Sequence, residues 1–231
     1  MVKKKRISPQ TSRTQSRMAS SHLRLTFFSR IMEVLGNTEK YFTGVKNEGY
    51  GEPLLYYLPF MIFSALFGAF AFPKYFSEYL TFQVSGILFL FVFVAEIVLQ
   101  LAVLFFITWL THFSLRICKG QGQYLDTFKA GVYGSTPLLL WNILSGLFAL
   151  VFSPIQMFWT FFPSFAFMIW SIFLEVTGLS FYHKISKSRA FWGGVVLPWA
   201  VLFVAFFVVF FAVGLLFFLF GVALFPGMMG G

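Results

Sequence analysis

The chain has 231 residues, of which 58% are hydrophobic and 11% are charged, and its formal net charge is +9. Soluble domains carry about 25% charged residues, so this composition excludes a water-soluble globular protein. The 36 phenylalanines and the mean hydropathy of +0.81 indicate a polytopic membrane protein. The only cysteine, Cys118, excludes an intrachain disulfide.

The N-terminal part of the chain is predicted to precede the membrane domain in two segments. Residues 1–21 are basic, have no acidic residue and lack apolar periodicity, which predicts a disordered tail. Residues 22–53 are predicted to form interfacial amphipathic helices, the first of which ends at Gly36-Asn37. Its apolar stripe consists of Leu23, Phe27, Ile31 and Val34. A transit peptide and a nucleic-acid-binding tail are alternative interpretations, but a basic tail before an amphipathic helix favours an anionic lipid surface.

Five apolar segments are long enough to cross a hydrocarbon core about 30 Å thick. They make up a predicted transmembrane domain over residues 54–225, which is followed by a short external tail, 226–231. The five segments lie at about 54–72, 86–110, 130–152, 155–181 and 195–224. Pro198 provides a position for a kink in the long fifth segment.

The basic residues are distributed asymmetrically around these segments. If the N-terminus is cytoplasmic, 16 of the 17 Lys and Arg residues lie on the cytoplasmic side and only Lys74 lies outside. Cytoplasmic loops of membrane proteins carry an excess of Lys and Arg. The sequence therefore predicts an all-α bundle of five transmembrane helices with a cytoplasmic N-terminus, preceded by an interfacial amphipathic helix.

Four polar residues fall inside the predicted spans: Glu96, Gln100, Asn142 and Glu175. An ionisable group in hydrocarbon costs about 2.5–3.5 kcal/mol on insertion scales, so each carboxyl is expected to face a partner. Glu96 and Gln100 share one helix face, and Glu96 lies near the depth of Asn142. One interpretation is interhelical hydrogen bonding, and the other is a proton or cation site.

The third predicted span begins with residues that are unusual in a membrane helix, "FKAGVYGSTPLLLWN". Gly131 and Gly134 each form an i,i+4 pair of small residues, which predicts close packing against another helix, the first or the fifth span. Pro137 lacks a backbone donor and so frees the carbonyl of Tyr133. A hydroxyl of the intervening Ser-Thr pair is expected to bond part of this turn.

The segment "GVYGSTP" resembles the Gly-Tyr-x-x-x-Pro signature of the Yip family, the Ypt/Rab-interacting membrane proteins. Tyr133 and Pro137 carry this match. The segments "NTEKYFTGVKNEG", "YLDTFKAGVYGSTPLLL" and "LEVTGLSFYHKISKSRAFWGGVVLP" are similar to family segments in the same order, over roughly 37–225. The resemblance implies a five-span protein with its N-terminus inside.

The chain differs from the eukaryotic members of that family ahead of the first span. Those members carry Asp-Leu-Tyr-Gly-Pro there, whereas this chain has "GYGEP", Gly49 to Pro53. The difference argues against a Rab-type GTPase partner and favours the prokaryotic-like branch.

The usual motifs of catalytic, nucleotide and metal sites are missing from the sequence. We therefore expect no enzyme activity, no cofactor and no metal. The expected function is interaction or membrane organisation at the cytoplasmic face, with trafficking as one such role. The alternative is a small transporter or channel that uses Glu96, Gln100 and Glu175.

The expected partners follow from the basic tail and the apolar spans. Anionic membrane lipids are expected to bind the tail, and other membrane proteins are expected in a homo- or hetero-oligomer. Nucleic acid is not expected. The expected location is the cell membrane in a prokaryote and an early secretory membrane in a eukaryote.

Overall fold

The computed structural model describes residues 26–76, 86–151 and 161–224. The regular elements of these residues are all helices. The predicted basic tail and the predicted external tail lie outside the described residues.

Two short helices precede the first long one. Helix α1 (Phe27–Gly36) begins after Thr26, whose hydroxyl accepts a hydrogen bond from the backbone of Ser29. Its end at Gly36-Asn37 is where the sequence predicted it. Helix α2 (Thr38–Gly44) follows directly.

The apolar stripe of α1 packs on the protein itself. Ile31 and Val34 are buried, and the ring of Phe27 lies 5.3 Å from that of Phe60 on the next helix. Phe28 on the neighbouring face is exposed. Leu23, the first residue of the predicted stripe, lies outside the described residues. The rest of the stripe is held by protein contacts, because the first long helix supplies an aromatic surface for it.

The remaining helices follow in chain order and include the apolar ones. They are α3 (Gly51–Phe76), α4 (Gly86–Ile117), α5 (Tyr124–Gly134), α6 (Thr136–Val151), α7 (Phe161–His183), α8 (Lys187–Phe191) and α9 (Leu197–Leu224). Within the described residues, four helical segments are long and apolar enough to cross a membrane: Gly51–Phe70, Gly86–Ile117, Phe161–His183 and Lys187–Leu216. These correspond to the first, second, fourth and fifth predicted spans.

The third predicted span, 130–152, differs from the prediction because the structure divides it. Helix α5 ends before Ser135, and the apolar stretch of α6 over Thr136–Phe148 is shorter than a typical span. The division follows from Pro137, which cannot donate to the carbonyl of Tyr133. The hydroxyl of Thr136 donates to that carbonyl instead, at 2.6 Å.

The fifth span begins with a widened turn. Helix α8 continues through a π-helical turn, Trp192–Val196, into α9. Pro198 follows this turn and removes a backbone donor, and π-bulges commonly accommodate such interruptions. A Cβ on Gly193 would lie 2.7 Å from the sulfur of Cys118, so the turn approaches the end of α4 closely. Cys118 is thus a packed, half-buried thiol.

The main hydrophobic core lies at the end of the bundle that carries α1, α2 and α5. Its largest fully buried side chains include Tyr41, Phe42, Phe60, Phe128, Tyr133 and Leu179. The apolar side chains of α9 from Phe203 to Leu216 are largely exposed. This distribution is expected of a bundle whose outer helices face lipid, since acyl chains are as apolar as leucine.

Candidate functional site

We call residues 27–50, which comprise α1, α2 and the segment after them, the cap. The cap is seated on α7 through Phe42, which is fully buried. A Cβ on Gly178 would lie 2.6 Å from the tip of the Phe42 ring, so only glycine permits this approach. The hydroxyl of Tyr182 donates to the backbone carbonyl of Phe42 at 3.2 Å.

A largely buried ion pair joins the two ends of the cap to each other. The carboxylate of Glu48 lies 3.3 Å from the guanidinium of Arg30, and the two side chains are 11% and 13% exposed. The same carboxylate accepts a hydrogen bond of 2.5 Å from the hydroxyl of Tyr133. Glu48 therefore connects α1 and α5 through one side chain.

Lys129 on α5 is the second buried charge of this region, with a relative exposure of 1%. Its ammonium donates to the backbone carbonyls of Lys46 at 2.7 Å and Glu48 at 3.3 Å. It also lies 3.7 Å from the carboxylate of Asp126 and 5.2 Å from the ring centroid of Tyr182. Lys129 thus fixes the backbone of the segment that carries Glu48.

Tyrosine rings surround the family-like tyrosine of the third span. The ring of Tyr133 makes edge-to-face contacts with Tyr41 and Tyr56, at centroid distances of 5.1 and 5.0 Å. The hydroxyls of Tyr56 and Thr136 lie 2.8 Å apart. Edge-to-face pairs add to the energy of apolar burial. Tyr133 is therefore the centre of the contact between the cap, α3 and α5.

Burial dominates the electrostatics of Glu48 in the cap and of Lys129 on α5. Desolvation raises the pKa of the Glu48 carboxyl above its usual range, against the hydrogen bond from Tyr133 and the charge of Arg30, which lower the pKa. Desolvation lowers the pKa of the Lys129 ammonium, and the carboxylates of Asp126 and Glu48 oppose that shift. Burial thus disfavours the charged form of both groups, and their partners favour it.

A hydrogen-bonded histidine pair lies next to the cap. The hydroxyl of Thr127 lies 2.8 Å from Nε2 of His183 and 3.0 Å from Nδ1 of His112. The backbone of Gly122 donates to Nδ1 of His183 at 3.2 Å. This assignment makes Nε2 the protonated nitrogen of His183, which donates to Thr127. The pair joins α4, α5 and α7.

The two polar residues of α4 form a local contact. The amide of Gln100 donates to the carboxyl of Glu96 at 3.3 Å. A Cβ on Gly68 of α3 would lie 3.8 Å from the Glu96 carboxyl carbon, so Glu96 packs at the contact between α3 and α4. The partner of Glu96 is thus Gln100 of its own helix, not Asn142 across the bundle.

A cavity of about 440 Å³ lies between α4, α6, α7 and α9. Gln100, Asn142 and Glu175 line it. Glu96 does not line this cavity. The structure therefore brings together three of the four intramembrane polar residues that the sequence singled out.

The two glycines of the third predicted span have different surroundings. A Cβ on Gly134 would lie 2.6 Å from the Cα of Glu175, so α5 and α7 are in backbone contact there. The partner is the fourth span, not the first or fifth that the sequence analysis expected. Gly131 has no atom within 4 Å of such a Cβ and lines the cavity. The expected packing role of Gly131 is therefore wrong.

Sequence reasoning did not identify the residues that hold the cap. Arg30 and Lys129 entered the sequence prediction only as basic charges of the tail and loops, and Glu48 was not singled out. The one local signal is that Lys129 directly precedes an apolar run. Nothing in the sequence requires a solvated lysine at that position. The contacts of Lys129 and Tyr133 with the cap join positions more than 80 residues apart, which no local pattern encodes.

The polar groups of the cap and of α5 form structural contacts. Within the part of the chain that the structure describes, no group of three His, Cys, Asp or Glu residues is arranged to hold a metal ion. The Glu48 carboxylate contacts the Arg30 guanidinium and the Tyr133 hydroxyl, and the Lys129 ammonium donates to backbone carbonyls of the cap. These contacts therefore fix the position of the cap on the bundle.

The long apolar helices and their lipid-facing surfaces define a multi-pass integral membrane protein. The family model described as the Yip1 domain matches residues 32–210. The chain belongs to this family, as the resemblance around Tyr133 and Pro137 predicted. The match covers residues 32–50 of the cap and the membrane helices as far as residue 210. Comparisons with curated proteins and with solved structures give no match.

Proposed function

We propose that this protein is a non-enzymatic, five-span membrane protein whose cap is a fixed platform for interaction and membrane organisation at the cytoplasmic face. Trafficking is one such role. The observation that carries the proposal is the Arg30–Glu48–Tyr133 network, which is buried and connects the cap to the bundle. A platform that is ordered before binding loses less conformational freedom on binding a partner than a flexible segment does.

The cap and the neighbouring loops form one continuous surface. The backbone of Gln121 donates to the carbonyl of His183 at 3.1 Å, which links the loop after α4 to the end of α7. Lys187 lies 3.3 Å from Glu39 and links α8 to the cap. A partner at this face would therefore contact segments from four parts of the sequence at once.

The exposed charges of this surface support a cytoplasmic orientation. Exposed basic side chains at the cap end are Lys40, Lys46, Arg116, Lys119, Lys184, Lys187 and Arg189. Such an excess of Lys and Arg is typical of the cytoplasmic side. The same charges attract anionic lipid headgroups and acidic partners. Other membrane proteins, including further copies of this chain, are the proposed partners at the lipid-facing helices.

The alternative function, a small transporter or channel, requires Glu96, Gln100 and Glu175 to act along one path. Gln100 and Glu175 share the cavity, which favours this alternative. Glu96 packs instead at the α3–α4 contact. The separation of the two carboxyls weakens a relay between them, so we place this function second.

Cysteine labelling tests the orientation. On a Cys118→Ser background, we expect Lys184→Cys to react with a membrane-impermeant maleimide only after the cells are permeabilised. Lys184 is exposed, so access to its position depends on the side of the membrane. Pro226→Cys on the same background is the matched control, and it should react in intact cells. Labelling of position 184 in intact cells contradicts the proposed topology.

Vesicle binding tests the lipid role of the basic tail. We expect a peptide of residues 1–26 to bind vesicles with phosphatidylserine but not neutral vesicles. Each basic residue near such a surface contributes about 1 kcal/mol, and salt screens this attraction. The control peptide carries glutamine at Lys3, Lys4, Lys5 and Arg6. Equal binding of the natural peptide to both vesicles at low salt would refute this role.

A further inference from the structure

We infer that the intramembrane cavity binds an amphiphile with a cationic amine headgroup, which enters from the bilayer and pairs with Glu175. The cavity is separate from the cap, so this inference goes beyond the proposed platform. Its volume of about 440 Å³ is within the range of small-molecule sites, about 300–1,000 Å³.

The entrance of the cavity is between α4 and α9. Val103 on α4 and Trp199 on α9 both line the cavity and are 49% and 66% exposed. Residues that line a cavity and are also exposed mark its opening, and these belong to the lipid-facing parts of their helices. The opening is therefore directed towards the bilayer, where a ligand with an alkyl chain is concentrated.

Glu175 gives the cavity an acidic group without a counter-charge. It lies eight residues before the end of α7, or about 12 Å along the helix. Within the described residues its carboxyl takes part in no ion pair or hydrogen bond, and no Lys, Arg or His lines the cavity. An acidic group at membrane depth is costly unless a partner compensates it. A cationic ligand would be that partner.

Two hydroxyls of the cavity lining are arranged as acceptors. The hydroxyl of Thr108 donates to the carbonyl of Leu104 at 2.8 Å, and that of Ser135 donates to the carbonyl of Val132 at 2.9 Å. Both oxygens keep lone pairs, and both residues line the cavity. An ammonium group has three donors and no acceptor, so it matches this set. A carboxylate or phosphate headgroup is disfavoured, because it carries the same sign of charge as the Glu175 carboxylate.

The lining also distinguishes an organic amine from a metal cation. Calcium and magnesium require six or more oxygen ligands, usually with several carboxylates or waters, whereas Glu175 is the only carboxylate of the lining among the described residues. Most of the remaining wall is aliphatic, with Leu99, Leu138 and Leu202 among its residues. Such a wall suits an alkyl chain.

Native mass spectrometry of the full chain in one detergent tests the inference with three probes of equal chain length: dodecylamine, dodecanol and dodecanoic acid. We expect one dodecylamine per chain, bound about tenfold more tightly than dodecanol, since a hydrogen bond to a charged group contributes a difference of that order. We expect dodecanoic acid not to bind. Equal affinity for the amine and the alcohol would overturn the inference.

Three variants locate the site. Glu175→Gln should reduce dodecylamine affinity about tenfold, to that of dodecanol. Glu96→Gln, the same change on α4 outside the cavity, should leave it unchanged. A Cβ at residue 131 meets no atom within 4 Å, so we expect the leucine of Gly131→Leu to extend into the cavity and exclude both ligands, even if Glu175→Gln fails to fold. Unchanged dodecylamine binding by Gly131→Leu, in protein that melts like the wild type, would show that the amine binds elsewhere and would reject the site.

Discussion

We expect the Gly134→Leu variant to lose about 3 kcal/mol or more of folding free energy and to yield little folded protein in detergent. A Cβ at residue 134 would lie 2.6 and 2.7 Å from the backbone Cα and N of Glu175. A side chain there cannot be accommodated by a rotamer change, because the opposing atoms belong to the backbone of α7. Overpacking of a well-packed contact typically costs 1–3 kcal/mol, and more when the backbone has to move.

Gly131→Leu is the matched control, with the same substitution three residues earlier on the same helix. No atom lies within 4 Å of a Cβ at residue 131, so we expect this variant to melt within a few degrees of the wild type. Thermal melting of both variants in one detergent measures the difference. If both variants melt like the wild type, the α5–α7 contact is not as described. If both melt low, the surroundings of Gly131 are not open as described.

We expect Glu48→Ala to lower the free energy of unfolding by about 3–5 kcal/mol, the usual cost of removing one partner from a buried ion pair. The substitution leaves the guanidinium of Arg30 without its carboxylate and the hydroxyl of Tyr133 without its acceptor. For a chain of this size, about 2–4 °C of melting temperature corresponds to each kcal/mol, so the expected decrease is on the order of 10 °C. Tyr133→Phe, which removes one hydrogen bond, should cost less, about 1–2 kcal/mol.

Glu39→Ala is the control for burial. Glu39 is also in the cap and pairs with Lys187 at the same distance of 3.3 Å, but the two side chains are 73% and 56% exposed. Exposed pairs contribute about 0–1 kcal/mol, so this variant should melt almost like the wild type. A decrease for Glu39→Ala as large as that for Glu48→Ala would contradict the role of the buried network. Limited proteolysis at the α1–α2 junction should detect release of the cap in the Glu48 variant alone.

The sequence alone was enough to predict which segments are apolar helices. Hydropathy and helix-ending residues are local properties, and they located four of the long helices and the end of α1 at Gly36-Asn37. Pro137 likewise predicted the free carbonyl of Tyr133, because the missing donor belongs to proline whatever surrounds it. The family resemblance rested on the same local residues.

The tertiary structure decided which of these residues meet. Gly131 and Gly134 have the same chemistry, but three residues turn a helix through about 300°, so the two positions are about 60° apart around its axis. That angle separates a backbone contact with α7 from a cavity wall. The Arg30–Glu48–Tyr133 network was also decided only there, since burial and pairing arise when distant segments pack together. Charge and hydropathy along the chain cannot distinguish Glu48 in its buried pair from Glu39 in its exposed one, because what differs is the number of neighbouring atoms that exclude water.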